Sequence, residues 1–395
     1  MPKDVNRRVS VHMAGNKEYN RFKASYSINY TKGNYDVTAG SSFGNGRDYT
    51  VYWNLINTPM QIPITRFKNW RGETSNGSVN WANPNYYFND YYFNPYFMID
   101  NFRSVGRTED IFGNFELNFK ATNWLTLTYR LGATISNGSA KSRAEAFTYS
   151  DFAKNVAHKS SAASGDVVSQ VGDGISTSSR INSEFFASIR KKAGNFDFNA
   201  LLGQSFREDN SKNINVSSNN LAFPTLFNVI GRKGEPGASE SNFKSRLQRF
   251  FGKISIGYNN WAFLEATGSY DMNSRLAYYY DFDFKAISFF YPGVSASVLL
   301  SEAIPAIKNS KVVSYFKVRG AISKTGNVNL GVQALENTYG LGGGFPYGTL
   351  VGYTSGNVLR LPQYTPEFVK NNEIGIELGF LKNRINIEAT AYTQD

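Results

Sequence analysis

The chain has 395 residues, 41% of them hydrophobic and 15% aromatic, and carries a formal charge of +11. No run of eighteen apolar residues occurs, which excludes a helical membrane span, and the absence of cysteine excludes disulfides and thiolate metal sites. The 42 Lys and Arg are scattered, with no basic stripe or nucleic-acid motif, so the charge points to a cationic lumen or rim, or to acidic counterparts that lie elsewhere, and not to nucleic acid.

Period-two alternation sets the elements, because successive side chains of a strand point to opposite faces. Arg8–Ala14 reads as the first strand and Arg21–Thr31 as the second. In the second, Phe22, Ala24, Tyr26, Ile28 and Tyr30 share one face, and Arg21, Lys23, Ser25, Ser27, Asn29 and Thr31 share the other. Tyr35–Ser42 is a weaker strand. A long connection, Asp48–Phe112, follows, and Pro59 and Pro63 keep Thr58–Ile64 from being a regular helix interior. Strands are then expected at Gly113–Lys120, Trp124–Ser136, Arg180–Lys191, Asn195–Phe206, Arg246–Tyr258, Trp261–Met272, Val312–Lys324, Glu373–Phe380 and Arg384–Tyr392, with a weaker one at Val294–Leu300. That makes about thirteen, most of them long enough to cross a thin bilayer at a tilt.

The connections alternate in length. Gly15–Asn20, Ala121–Asn123, Ala193–Gly194, Asn259–Asn260 and Leu381–Asn383 are short and hold Gly, Asn and Lys, residues suited to tight turns. Asn137–Ser179, Arg207–Ser245, Asn273–Tyr291 and Thr325–Asn372 are long, and Ser160–Ser179 is polar enough to be mobile. Tight turns at one end and long loops at the other are the pattern of an antiparallel outer-membrane β-barrel, with the turns in the periplasm and the loops outside. Trp124 and Trp261 follow short turns directly, where an indole sits at headgroup depth.

No catalytic constellation stands out, so the chain is expected not to be an enzyme and to need no cofactor. His12 and His158 are far apart, and His12 falls on a polar strand face as a lumen residue would. Glu116, Glu184, Glu265 and Glu377 lie on polar faces, where lumen polarity accounts for them better than a glycosidase pair does. Gly342–Gly344 lacks the strand, helix and Lys of a phosphate cradle, and Asp281 and Asp283 lack a calcium-loop pattern. One loop is a candidate binding surface. Trp81, Tyr86, Tyr87, Phe88, Tyr91, Tyr92 and Phe93 sit in an Asn-rich stretch, where rings beside amides can stack on sugars or clamp a peptide, or can instead pack the loop onto the wall. Lumen-facing polar candidates are Arg21, Lys23, Glu116, Arg130, Lys317 and Arg319.

Four ordered stretches carry a family likeness. They are Asn94–Arg103 with Phe112–Phe119 and Thr122–Arg130; Phe250–Tyr258 with Leu264–Arg275; Phe316–Asn327, which ends in Thr-Gly-Asn; and Glu373–Ile387. Together the set resembles the SusC/RagA family of TonB-dependent outer-membrane transporters. The resemblance implies a barrel of the 22-stranded plugged class, importing oligosaccharide or peptide with TonB energy beneath a SusD-like lipoprotein, in a Bacteroidetes-like outer membrane. Set against that pattern, signal peptide, TonB box, plug and final strands are missing, so residues 1–395 are expected to be part of a barrel that cannot close unaided. Two other classes stay open at this point: a secreted or surface all-β glycan-binding protein without transport, and, less favoured, a carbohydrate-active β-enzyme. The directions of Phe22, Tyr26, Leu125, Leu127, Ile374 and Ile376 discriminate between a membrane wall and a soluble sandwich.

Overall fold

The structure is a computed structural model that describes residues 1–39, 51–89, 92–157, 165–278, 283–343, 345, 347–361 and 364–395. Tyr91, His158, Asp281 and Gly344 lie outside the described residues.

One antiparallel sheet of twelve strands dominates, each strand paired with its neighbours in chain order. They are β1 Val5–Tyr19, β2 Phe22–Thr38, β3 Phe102–Lys120, β4 Leu125–Ala144, β5 Gln170–Ala193, β6 Phe196–Asn219, β7 Gly237–Tyr258, β8 Ala262–Asn273, β9 Ser288–Leu299, β10 Val313–Asn327, β11 Glu367–Phe380 and β12 Ile385–Gln394. The sheet is open, with β1 and β12 at its edges. The turns expected to be tight are so. Asn20, Gly194, Asn259, Asn260 and Asn383 adopt the left-handed conformation such turns demand.

Two expectations need correction. The count is twelve and not thirteen, because the described part of the weak strand Tyr35–Ser42 continues β2 as far as Thr38. The strands also run well past their expected outer ends. Ser176–Ser179 and Asn210–Asn219, expected in loops, pair in register within β5, β6 and β7. Apart from Ile214 and Val216 these extensions are polar on both faces, so the alternation fades although the hydrogen-bonded ladder does not. Similarly, Gly15–Tyr19 belongs to β1, and the turn is Asn20 and Arg21 alone.

Partners directly opposite in a ladder share a face, so the register propagates one face across all twelve strands. Val11, Tyr30, Ile111, Ile135, Phe185, Leu202, Ile254, Leu264, Val294, Ile322, Ile376 and Ala389 sit on the apolar side. No charge interrupts this side between a lower boundary at Lys17 and Lys191 and an upper one at Lys32, Glu109, Glu208 and Arg246. On β6 the uncharged stretch runs from Phe196 to Phe206, eleven tilted residues that rise about 25 Å, the height of a lipid-facing band. Phe22, Tyr26, Ile374 and Ile376 are exposed, and Leu125 and Leu127 half-buried. These greasy faces have not been folded into a shared dry interior, as a sandwich would require. At the short-turn end the band carries an aromatic fringe: Phe22 stacks on Phe119 at 4.6 Å, Phe196 meets Tyr258 at 5.0 Å, and Tyr258 meets Trp261 at 5.6 Å.

The dry core lies instead in the loops. Val51, Trp70, Ala82, Phe93, Phe97, Met98, Ile99, Phe102, Ala144, Tyr149, Ala153 and Val167 form one buried cluster at the long-loop end. Helix α1 (Val51–Ile56) and helix α2 (Pro95–Asn101) belong to this layer. Asn94 caps α2 by accepting from the Tyr96 amide at 2.9 Å, and Pro95 occupies the first turn where no amide is needed. The layer is fastened to the sheet by Arg103, which is nearly buried. Its guanidinium reaches Asp36 at 2.7 Å, Asp4 at 3.0 Å and the Ile99 carbonyl at 3.1 Å.

Asp4 makes this fastening sensitive to acid. Burial pushes its pKa up, but hydrogen bonds from the Thr38 amide and hydroxyl and from Arg103 oppose burial and hold it below its ordinary value of 3.8. A folded value below the unfolded one means the stabilisation is complete above the unfolded value and is lost as pH falls through the folded one. Trp70, whose indole donates to Asp100 at 3.0 Å beside the fastening, reports the change. Its fluorescence is expected to hold steady down to about pH 4 and to shift only below it. Asp4→Asn should abolish that step; a shift already complete at about pH 5 would assign it to another group.

Candidate functional site

Two surfaces are built to meet a solute: the polar face of the sheet and the aromatic layer above it.

On the polar face, register brings charges from separate strands into contact. Glu116 of β3 faces Arg130 of β4, with Nε 2.5 Å from Oε2, and Asn118 donates to the other carboxylate oxygen at 2.7 Å. Arg130 also lies over the Phe186 ring at 5.0 Å. Glu116 and Arg130, with Ser25, Asn114, Asn182 and Glu184, line a depression of about 810 Å³. Lys253 reaches Glu265 at 2.6 Å. Lys317 reaches Glu377 at 3.0 Å, and Arg319 spans from Glu377 at 3.4 Å to Glu388 at 2.8 Å. Gly375 makes that span possible, since a Cβ there would come within 2.7 Å of the Arg319 Nε. His12 pairs with Asn29 at 3.1 Å on the same face. Half-exposed pairs of this kind add little stability; what they supply is a wall of fixed, alternating charge.

The expected lumen residues divide accordingly. Lys23, Glu116, Arg130, Lys317 and Arg319 all carry polar-face register, and Glu116 with Arg130, and Lys317 with Arg319, are brought together. Arg21 sits in the β1–β2 turn, where it donates to the Ala121 carbonyl of the next turn at 3.2 Å. A further group escaped the sequence: Arg180, Arg207, Arg249 and Arg275, gathered around Asp209 and Asp271. Only register arithmetic across β5 to β8 would have aligned them.

The aromatic layer is held by its asparagines. Asn80 donates to the carbonyls of Asn69 and Gly72, each at 2.9 Å. Asn83 donates to that of Gly72 at 3.0 Å, and Asn94 to those of Phe67 and Ala82 at 2.9 and 2.8 Å. Asn101 exchanges two bonds with the Glu145 backbone. An irregular loop leaves backbone groups unpaired, and a buried amide satisfies two kinds at once. These four residues are therefore scaffold. Tyr87 is inside too, edge-on to Phe67 at 5.5 Å, and burial pushes its hydroxyl up to about 12 against the opposing Thr58 bond. Tyr86 and Tyr92 are half-buried. Trp81 is 65% exposed and, with exposed Phe88, Phe152, Tyr52 and Trp53, forms the layer's aromatic surface.

A large apolar depression lies on the opposite side, lined by Val294, Val298, Ile322, Ile374 and Ala391. It belongs to the uncharged apolar band, where Gly320 leaves a gap.

This geometry has counterparts among solved structures. The RagAB peptide importer in its open-open state matches 98% of this chain and 40% of that chain, with a TM-score of 0.70 at 14% identity. The RagAB peptide transporter matches over the same shares, with a TM-score of 0.71 at 15% identity. The chain thus spans 40% of the length of those proteins. No model of a known protein family matches it, and no curated protein sequence does. The fold is that of a SusC/RagA-type transmembrane barrel wall, as the ordered residues led one to expect.

Proposed function

We propose that the chain forms the wall of an outer-membrane nutrient importer, with the apolar face on lipid and the polar face lining the path of an oligopeptide or oligosaccharide. The observation that carries this is the two-sidedness itself: an uncharged band on one side of twelve strands, and ion pairs on the other, in the fold of a peptide importer. The RagAB likeness favours peptide over glycan. Outer loops, with Trp81 and its aromatic neighbours, take up the solute first; the wall of Glu116, Arg130, Lys317 and Arg319 then offers polar contacts without a hydrophobic trap. A SusD-like lipoprotein over the loops and energy from TonB complete the cycle that the family resemblance implies. Among the described residues no cluster of metal-ligating side chains occurs.

Uptake tests the reading. Cells that depend on the gene are given a fluorescent oligopeptide, and deletion is expected to reduce periplasmic label to the level of passive leakage. Equal labelling with and without the gene would overturn the import assignment.

A further inference from the structure

We infer that the arginine group on the polar face is a recognition site for carboxylates, and that the imported solute is an acidic oligopeptide. This rests on the import reading above and names its substrate class.

Register places the group. Arg180 of β5 faces Asp209 of β6, and Arg249 of β7 faces Asp271 of β8. Arg207 lies two residues along β6 from Asp209, and Arg275 follows the end of β8. Arg207, Arg249, Arg275, Asp209, Asp271 and Tyr291 line a cleft of about 270 Å³. An adjoining cleft of about 350 Å³ shares Asp209 and Arg275 and adds Arg180. Arg246, which also lines the first cleft, is paired with Glu208 at 2.7 Å; the other four guanidiniums meet two carboxylates, a formal excess of two positive charges.

The carboxylates are already saturated. Asp271 receives Arg249 in a two-pronged contact at 2.7 and 2.6 Å, and Ser269 at 2.8 Å. Asp209 receives Arg180 at 2.5 Å on one oxygen and Arg207 at 2.7 Å on the other. The arginines are not saturated. Arg180 and Arg207 each bond through Nε, and their terminal nitrogens have no hydrogen-bond partner among the described residues. Arg275 uses one terminal nitrogen, on the Leu330 carbonyl at 3.2 Å. Each thus keeps donors in the planar arrangement that grips a carboxylate. The two resident aspartates hold the arginines in place without consuming them.

The spread of the site favours a peptide. Its arginines come from successive strands spaced about 4.8 Å apart, so the positive strip crosses the sheet for well over 10 Å. An extended peptide lying across it presents same-side carboxylates roughly every 7 Å, enough to engage two arginines at once. Phe289 and Tyr291 border the strip.

Binding to the detergent-solubilised full chain is measured by calorimetry with hexaglutamate, hexaglutamine and hexagalacturonate. Hexaglutamate is expected to bind at least about tenfold more tightly than hexaglutamine, with the gap shrinking at high salt. Arg207→Gln with Arg275→Gln should close most of that gap. Arg249 is left intact, since its loss would strand Asp271, which is only 7% exposed. Asp209→Asn, which raises the formal excess by one charge while the amide oxygen can still accept from Arg180 or Arg207, should tighten hexaglutamate binding, a gain that misfolding cannot mimic. Equal binding of the two peptides, an unchanged gap in the double variant, or preference for hexagalacturonate would each overturn the inference. A chain that imports neutral peptides yet shows no acidic preference overturns this inference alone; a chain that imports none overturns the import reading with it.

Discussion

Ile254→Arg is expected to destabilise the membrane-inserted sheet by about 2–4 kcal/mol, while Ser255→Arg, one residue on, leaves it nearly unchanged. The pair is chosen because the two side chains differ in face and not in depth. Ile254 is 50% exposed and sits midway along the apolar side of β7, opposite Ala200 and Ala266. Ser255 is less exposed and faces the other way, opposite Glu265, where a guanidinium gains a partner. In a water-soluble protein the ranking would be reversed, since a half-exposed isoleucine tolerates arginine better than a partly buried serine does. In a membrane wall the exposed position meets hydrocarbon, and a charge there has no water to solvate it. Urea titration of the chain folded into phospholipid vesicles measures both. Equal tolerance at the two positions would remove the lipid-facing assignment of the whole apolar side.

That assignment was legible because lipid imposes the strictest pattern on the sequence. Between Phe196 and Phe206 every second residue but Gln204 is apolar, so the alternation is visible without a structure. Above the band the constraint relaxes. Residues such as Ser176–Ser179 keep their ladder bonds while their side chains meet water on both sides, and nothing in their order separates strand from loop. The loop layer was obscure for a different reason. Asn83 and Asn94 lie in the stretch whose amides and rings suit a ligand, but their hydrogen bonds are spent on the loop's own carbonyls. A local signal was present in Asn94-Pro95, a cap followed by a first-turn proline, which marks a helix start inside the supposed loop. The arginine group lay furthest from view. Arg180 and Asp209 are 29 residues apart, and only the strand register makes them neighbours.

Phe97→Ala is expected to cost the loop layer about 3–5 kcal/mol, the range for deleting a buried phenylalanine. Phe97 is wholly buried and is the ring on which the others converge: Trp70 edge-on at 5.0 Å, Phe147 at 5.4 Å, Phe93 at 5.8 Å and Phe102 at 5.9 Å. These neighbours come from four separate stretches, two of them flanking helix α2, so no small shift of one stretch fills the hole. The sheet below does not share the loss, because its stability comes from ladder bonds and lipid contact rather than from this cluster. The expected result is therefore a split. Amide exchange should quicken across α2 and around Trp70, while the ladder of β5, β6 and β7 stays protected. Uptake should fall with the layer, since Trp81 and Phe88 are carried by the chain that Phe97 pins down. Uniform loss of protection through both layers would mean that cap and wall fold as one unit, and that the aromatic surface cannot move independently of the wall beneath it.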